Sequence, residues 1–236
     1  VTGVQTCALP ILLCSRVRGF ERVRFINTGS EAMSLAIRMA RAFTGRTPIA
    51  KLEGVYHGSA DFADVSVNST PKNWGNRPTA VATVPSTPSA VLDSVVVLGA
   101  NDIDGIADTL AAHEHELAAI IVDPVPPRCG MRPLDPDYVE ALRNAADAAG
   151  ALLIYDEVIA FRFGYQGAQG RFGGRPDLTV LGKIIGGGYP VGAVAGRAEV
   201  MEATASSVAS SGTFTANPVT MVAGLATMED LTPEAF

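Results

Sequence analysis

Lys183 lies in the run Leu181-Gly-Lys-Ile-Ile-Gly-Gly-Gly-Tyr-Pro190, and Asp156 closes the apolar run Ala151-Leu-Leu-Ile-Tyr155 upstream of it. A lysine amine in an apolar, glycine-lined turn can give up its proton and add to a carbonyl, forming a Schiff base. A carboxylate just past a buried strand can keep a proton on a ring nitrogen. Together these two groups are what an aromatic aldehyde with a basic ring nitrogen, pyridoxal phosphate (PLP), asks of a protein.

Other residues invite related chemistry. Thr28-Gly29-Ser30 precedes a helical pattern. A turn that opens a helix offers free backbone N–H groups and the positive end of the helix dipole, which suits a phosphate; it equally suits an ordinary N-cap. Gly54-Val-Tyr56-His57-Gly58 sets an aromatic ring and an imidazole between glycines, where Tyr56 can stack on a flat ring or half-bury in a turn. Gly212-Thr213-Phe-Thr-Ala-Asn217-Pro218 puts a hydroxyl and amides before a helix that begins on proline, a second anion site or a plain cap.

Asp123 follows Ile120-Ile121-Val122 much as Asp156 follows its own run. If those strands are neighbours the two carboxylates approach, and a metal is conceivable, although no histidine sits at a suitable spacing. His113 and His115 end a polar helix and read as solvated. Arg128 and Arg162 each suit a carboxylate ligand, and each equally suits a surface ion pair. No G-x-x-x-x-G-K-[ST] occurs, and no G-x-G-x-x-G follows a strand, so P-loop and dinucleotide readings lack support.

The elements that must carry these residues show in the periodicity. Helical spacing predicts helices over 31–43, 103–116, 136–149 and 218–229. The third starts on proline and ends at Gly150, the favoured residue at each end. Short apolar runs predict strands over 23–26, 48–52, 118–122, 151–155, 178–181 and 191–195. Alternating strands and helices, with strands apolar on both faces, imply an α/β fold with a mostly parallel sheet covered by helices. Ligands in such sheets bind beyond the carboxyl ends of strands, where Asp156 falls. Residues 68–99 are rich in Pro, Ser and Thr and read as a lid or a surface excursion.

Composition bounds the rest. The 236 residues, 47% hydrophobic, suffice for one large domain. A net charge of −6 argues against nonspecific nucleic-acid binding. Cys7, Cys14 and Cys129 form neither a disulfide framework nor a C-x-x-C pair, so a reducing cytoplasm is expected. No apolar run reaches the roughly 18 residues of a membrane span. Residues 1–11 lack a clear period and read as non-native sequence of the kind translated from sequencing adapters. They are set apart from 12–236, which reads as a fragment open at both ends.

In their order, these pieces resemble the class III, fold-type I PLP-dependent aminotransferases, and within them the glutamate-1-semialdehyde 2,1-aminomutase group. The resemblance runs from about residue 12 to 236. It is carried by Asn-Thr-Gly29-Ser30-Glu, Tyr56-His57-Gly58, Asp156-Glu157-Val158, Gly-Ala-Gln-Gly-Arg-Phe-Gly (167–173), Leu-Gly-Lys183-Ile-Ile-Gly-Gly-Gly and Gly212-Thr213-Phe-Thr-Ala-Asn-Pro. It implies a three-layer αβα large domain with an incomplete small domain, and a transaminase or aminomutase acting on an amino acid or amino aldehyde through PLP.

By the same resemblance Lys183 forms the Schiff base and shuttles the proton, and Asp156 pairs with the pyridine N–H. Val158 packs on one ring face and Tyr56 or His57 on the other. Gly29 and Ser30 hold the phosphate. Thr213 reaches the phosphate of a neighbouring subunit, so a homodimer with shared active sites is expected, and 85–91 matches a gating region. The sequence departs from the family at Asp123-Pro124-Val125, where Glu is usual. It departs again at Pro126-Pro127-Arg128, and in a shortened run after Val158. These changes lie on the substrate side of the cofactor.

Overall fold

Strands form where β-branched and small apolar residues run without interruption. The computed structural model describes residues 3–72, 77–113, 115–210 and 212–236, with side chains from Cys7 onward. The strands are β1 (Arg22–Ile26), β2 (Ile49–Leu52), β3 (Val95–Leu98), β4 (Ala119–Val122), β5 (Leu152–Asp156), β6 (Leu178–Gly182) and β7 (Gly192–Gly196). They make one sheet in the order β1-β7-β6-β5-β4-β2-β3. β3, β2, β4, β5 and β6 run parallel, while β7 lies antiparallel to both β6 and β1.

The helices are α1 (Gly3–Arg16), α2 (Gly29–Thr44), α3 (Asp61–Asp64), α4 (Ser89–Leu92), α5 (Ile103–Ala111), α6 (Pro136–Ala149), α7 (Gly167–Phe172), α8 (Ala198–Ala203) and α9 (Pro218–Asp230). Successive strand residues point to opposite faces, so each strand feeds two cores. Ile121, Ile154 and Val180 pack with α2 and α8 on one face. Ile120, Leu153 and Tyr155 pack with α5 and α6 on the other. Leu181 and Ala193 extend that second face towards α1 and α9. The result is the expected helix–sheet–helix sandwich, with a mixed sheet that is mostly parallel.

Local chemistry fixes the ends of the two helices that matter most. Thr28 caps α2 by accepting from Glu31 N (3.1 Å), and the Glu31 carboxylate accepts in return from Thr28 N (3.1 Å) and Asn27 N (2.9 Å). This reciprocal box satisfies donors that the helix itself cannot. α6 spans 136–149 as its sequence predicts, from Pro136 to a left-handed cap at Gly150.

Three regions differ from the sequence expectation. Residues 3–11, set apart above, are helical, and Leu9 and Leu13 are fully buried against Met221 and Met228 of α9. Their packing against α9 prevails over Pro10, which sits inside α1. The loop expected over 68–99 ends in the single turn α4 and in β3, whose Val-Val-Val-Leu run is buried throughout. Residues 73–76 of that stretch lie outside the described residues. The helix expected over 103–116 stops at Ala111, because the chain turns at His115 (φ 62°) to bring Leu117 into the core before β4. A Cβ on Gly187 would lie 2.4 Å from the Ala223 carbonyl, so the glycine run behind Lys183 makes room for the backbone of α9.

Candidate active site

Five segments converge at the carboxyl ends of β4, β5 and β6. They enclose a cavity of about 410 Å³. Its wall contains Gly29, Ser30, Tyr56, His57, Asp156, Val158 and Lys183, seven of the eight residues singled out from sequence. The eighth, Thr213, stands exposed in a turn before α9 and does not line it. Residues 85–91 do not line it either.

Asp156 is the last residue of β5, and it pairs across the sheet with Val180 of β6. Lys183 follows β6 directly, so the amine and the carboxylate leave adjacent strands on the same edge. Lys183 adopts a left-handed conformation (φ 48°), at a cost of about 1–2 kcal/mol for a residue with a Cβ. The surrounding structure imposes it. Lys183–Gly186 form one 3-10 turn, and Gly224 of α9 lies so close that an added Cβ would be 2.2 Å from the Ile185 carbonyl. The lysine side chain is exposed rather than sunk among its apolar neighbours. Strained backbone of this kind concentrates where function demands it.

Asp156 is buried and held from two sides. His57 Nδ1 lies 2.8 Å from Oδ2, and Val158 N donates to Oδ1 at 3.1 Å. Burial pushes the imidazole pKa down, with the Asp156 hydrogen bond opposing. The neutral ring therefore donates Nδ1–H to the carboxylate, which leaves Nε2 buried without a partner among the described residues. Of the two residues expected to cover a ring face, His57 is thus engaged at the edge of Asp156. Tyr56, 47% exposed, remains in the wall.

The opposite wall is the start of α2. Gly29 and Ser30 are its first residues, and their amides have no acceptor within the helix. A Cβ at Gly29 would lie 2.9 Å from Val158 Cγ2, and one at Gly58 (φ 103°) would lie 2.9 Å from Ser30 Cα. Glycine at both positions lets three segments close on one another, and Ser59 N donates to Ser30 Oγ at 3.3 Å across the gap.

Asp123 also borders the cavity, beside Asp156, because β4 and β5 are neighbours. Burial, and next the charge of Asp156, push its carboxyl up to about 8, although Val125 N donates to it at 2.9 Å. No group of three or more His, Cys, Asp or Glu side chains is placed to hold a metal among the described residues. Glu157 points away from the cavity. It accepts from Ala168 N (2.7 Å) and Gln169 N (3.1 Å) at the start of α7, and burial still pushes its carboxyl up to about 7.

Sequence reasoning missed Lys51. It is fully buried in β2 and donates to the carbonyls of Val55 (2.8 Å) and Val65, so it ties down both ends of the segment that carries Tyr56 and His57. The sequence signal was a lysine inside an otherwise apolar strand. Arg128 lines the cavity, whereas Arg162, the other candidate for a carboxylate ligand, does not.

Known proteins share this fold. The chain is 44% identical over 223 residues to glutamate-1-semialdehyde 2,1-aminomutase from Pelotomaculum thermopropionicum, covering 93% of this chain and 50% of that relative. It superposes on an omega-transaminase from Sphaerobacter thermophilus with a TM-score of 0.94 at 50% identity, covering 99% of this chain and 55% of that one. It superposes on a transaminase with PLP bound with a TM-score of 0.92 at 40% identity, covering 99% of this chain and 55% of that one. The chain spans about half the length of the curated relatives it matches. The family model for class-III aminotransferases matches residues 5–236, and the chain belongs to that family.

Proposed function

We propose that this chain forms the cofactor-binding part of a PLP-dependent transaminase or aminomutase, which moves an amino group on an amino acid or amino aldehyde. One observation carries the reading. A lysine amine and a buried, hydrogen-bonded carboxylate leave adjacent strands into one cavity, opposite the free amides of a helix start.

The residues present fit PLP. The Gly29 and Ser30 amides and the positive end of α2 suit its phosphate. Asp156 suits the ring N–H, and Val158 and Tyr56 suit the two ring faces. Lys183 suits the aldehyde. When bound, PLP supplies an electron sink that stabilises the carbanion left on proton removal from the carbon bearing the amino group.

The protein's own work is proton handling and orientation. Lys183 Nζ, exposed to the cavity, takes the substrate proton and returns it. Asp156 keeps the ring nitrogen protonated, because an anion fixed beside it favours the charged form. His57 positions Asp156 through the 2.8 Å contact.

Two further parts of the proposal concern context. A homodimer with shared sites is supported by Phe214 and Val219, 69% and 58% exposed beside Thr213, apolar surface of the kind a partner covers. Thr213 then serves the partner's site. A cytoplasmic location is supported by the free thiols of Cys7, Cys14 and Cys129. No helix among the described residues is long and apolar enough to cross a membrane.

Borohydride reduction of the PLP-loaded protein, followed by peptide mass mapping, tests the core reading. The expected product is a phosphopyridoxyl group on Lys183 alone. No adduct, or one on Lys51 or another lysine, would overturn the assignment.

A further inference from the structure

Two cations border the cavity, and only Lys183 has a task in the reading above. We propose that Arg128 is a specificity-determining residue that receives the carboxylate of an amino-acid substrate. The inference rests on the cavity being the PLP site, since that fixes where the substrate's amino end must lie.

Arg128 sits on a stiff support. Pro124, Pro126 and Pro127 restrict the chain beyond β4, and the turn is closed by Cys129 N to Pro126 O (3.1 Å), Met131 N to Pro126 O (3.1 Å) and Leu134 N to Pro124 O (3.0 Å). Proline also fixes the backbone in the unfolded ensemble, so little freedom is lost in presenting this side chain. Among the described residues its guanidinium is anchored at one corner, by Nη2 donating to Asn68 Oδ1. That bond orients the fork and leaves the other N–H groups for a ligand.

Arg128 stands apart from the other arginines by its place in the cavity wall. Arg143 and Arg197 are paired with Asp177, Arg22 with Glu202, Arg24, Arg41 and Arg46 donate to backbone carbonyls, and Arg16 is packed among the rings of Phe161, Tyr165 and Phe236, all away from that wall. Arg128 makes no ion pair with a carboxylate among the described residues, although Asp123 and Asp156 border the same cavity. Asp156 is taken by His57. An unpaired planar cation in the wall of a pocket that handles amines suits a planar anion on the same substrate, with two parallel N–H···O bonds. Its field also draws anionic substrates to the pocket.

The test separates charge recognition from cofactor binding. The PLP-loaded protein is titrated calorimetrically with 3-phenylpropanoate, an unreactive acid, and with its uncharged amide. Arg128→Gln is expected to weaken the acid by about ten- to a hundred-fold, the worth of a charged hydrogen-bond pair, and to leave the amide unchanged. Arg128→Lys should restore part of the acid's affinity, since it returns the charge without the fork. Equal loss for both ligands, or no loss for either, would overturn the proposal. The reduced adduct on Lys183 is measured in each variant. Its absence from the unmodified chain sinks the cofactor reading, whereas its presence with unselective binding sinks only the role of Arg128.

Discussion

Lys51, in β2, and Lys183, just after β6, belong to one sheet with β4 and β5 between them, and they invert the usual expectation about reactive amines. Lys51 has the perturbed environment: it is fully buried, and desolvation pushes its pKa down to about 8. Both of its hydrogen bonds, however, go to backbone carbonyls, and it does not line the cavity of the candidate site. Lys183 is exposed and strained, and it opens onto a space with a carboxylate and free amides across from it. A shifted pKa marks burial, and burial serves structure as readily as chemistry. What distinguishes the candidate catalytic lysine is what it faces.

The strongest way to break this comparison is to remove each amine. Lys183→Ala is expected to abolish both the borohydride-trapped adduct and amino transfer, while a circular-dichroism melt stays near that of the unmodified protein. Lys51→Met should show the reverse pattern, with the Lys183 adduct retained and stability lost. Residual transfer of more than about one part in a thousand in Lys183→Ala would mean another group does the proton work, since general acid–base catalysis is worth about 10²–10⁴-fold.

Next in size is His57→Leu. Asp156 then keeps only the Val158 amide. A charged hydrogen bond is worth about 1.5–3 kcal/mol, so turnover should fall about ten- to a hundred-fold while the adduct on Lys183 still forms. His57→Gln, which keeps a donor, should recover part of the rate. If His57→Leu turns over normally, the imidazole merely fills space.

The lysine pair also shows what the sequence could and could not disclose. Lys183 was legible because glycines on both sides punctuate an apolar run, and Asp156 because it ends a strand. The Thr28–Glu31 box was legible because capping is local. The His57–Asp156 contact was not: its partners are 99 residues apart, and only the strand order brings them together. Lys51 was read as one more strand residue, because the carbonyls that hold it come from a loop folded back over β2. β3 was hidden by the Pro/Ser/Thr-rich stretch before it, although its own four residues have a strand's character.

Lys51→Met comes third. Two buried carbonyls lose their donor, which should cost about 1–3 kcal/mol at neutral pH, read by urea denaturation. The pH dependence sharpens the contrast. The folded-state pKa lies near 8 and the ordinary value is 10.5. Between those values the unfolded chain binds the extra proton, so the unmodified protein gains stability as pH rises through that window. Lys51→Met lacks this gain, and its deficit should widen from pH 8 to 10. A deficit that stays constant would show that Lys51 is charged equally in both states.

The smallest effect tests whether the lesson extends to the carboxylates. Asp123 and Asp156 end adjacent strands at the same cavity, yet Asp123 has the raised pKa, about 8, and no imidazole beside it. At neutral pH Asp123 is therefore mostly protonated, and Asp123→Asn replaces a neutral acid by a neutral amide of similar shape. Near pH 3, where Asp123 is protonated in the folded and the unfolded chain alike, stability should change by less than about 1 kcal/mol, as for the least disruptive substitutions. The sign of the pH dependence follows from the same value. Because the folded-state pKa is raised above the ordinary 3.8, the native protein binds the extra proton between those values. Stability is then lost as pH rises towards 8. Asp123→Asn removes that loss, so the variant should gain on the unmodified protein from about pH 4 to 8, while the reduced adduct on Lys183 is unaffected. An equal pH response in both proteins would mean that Asp123 titrates alike in the folded and unfolded chain, and that its burial does not hold a proton on it.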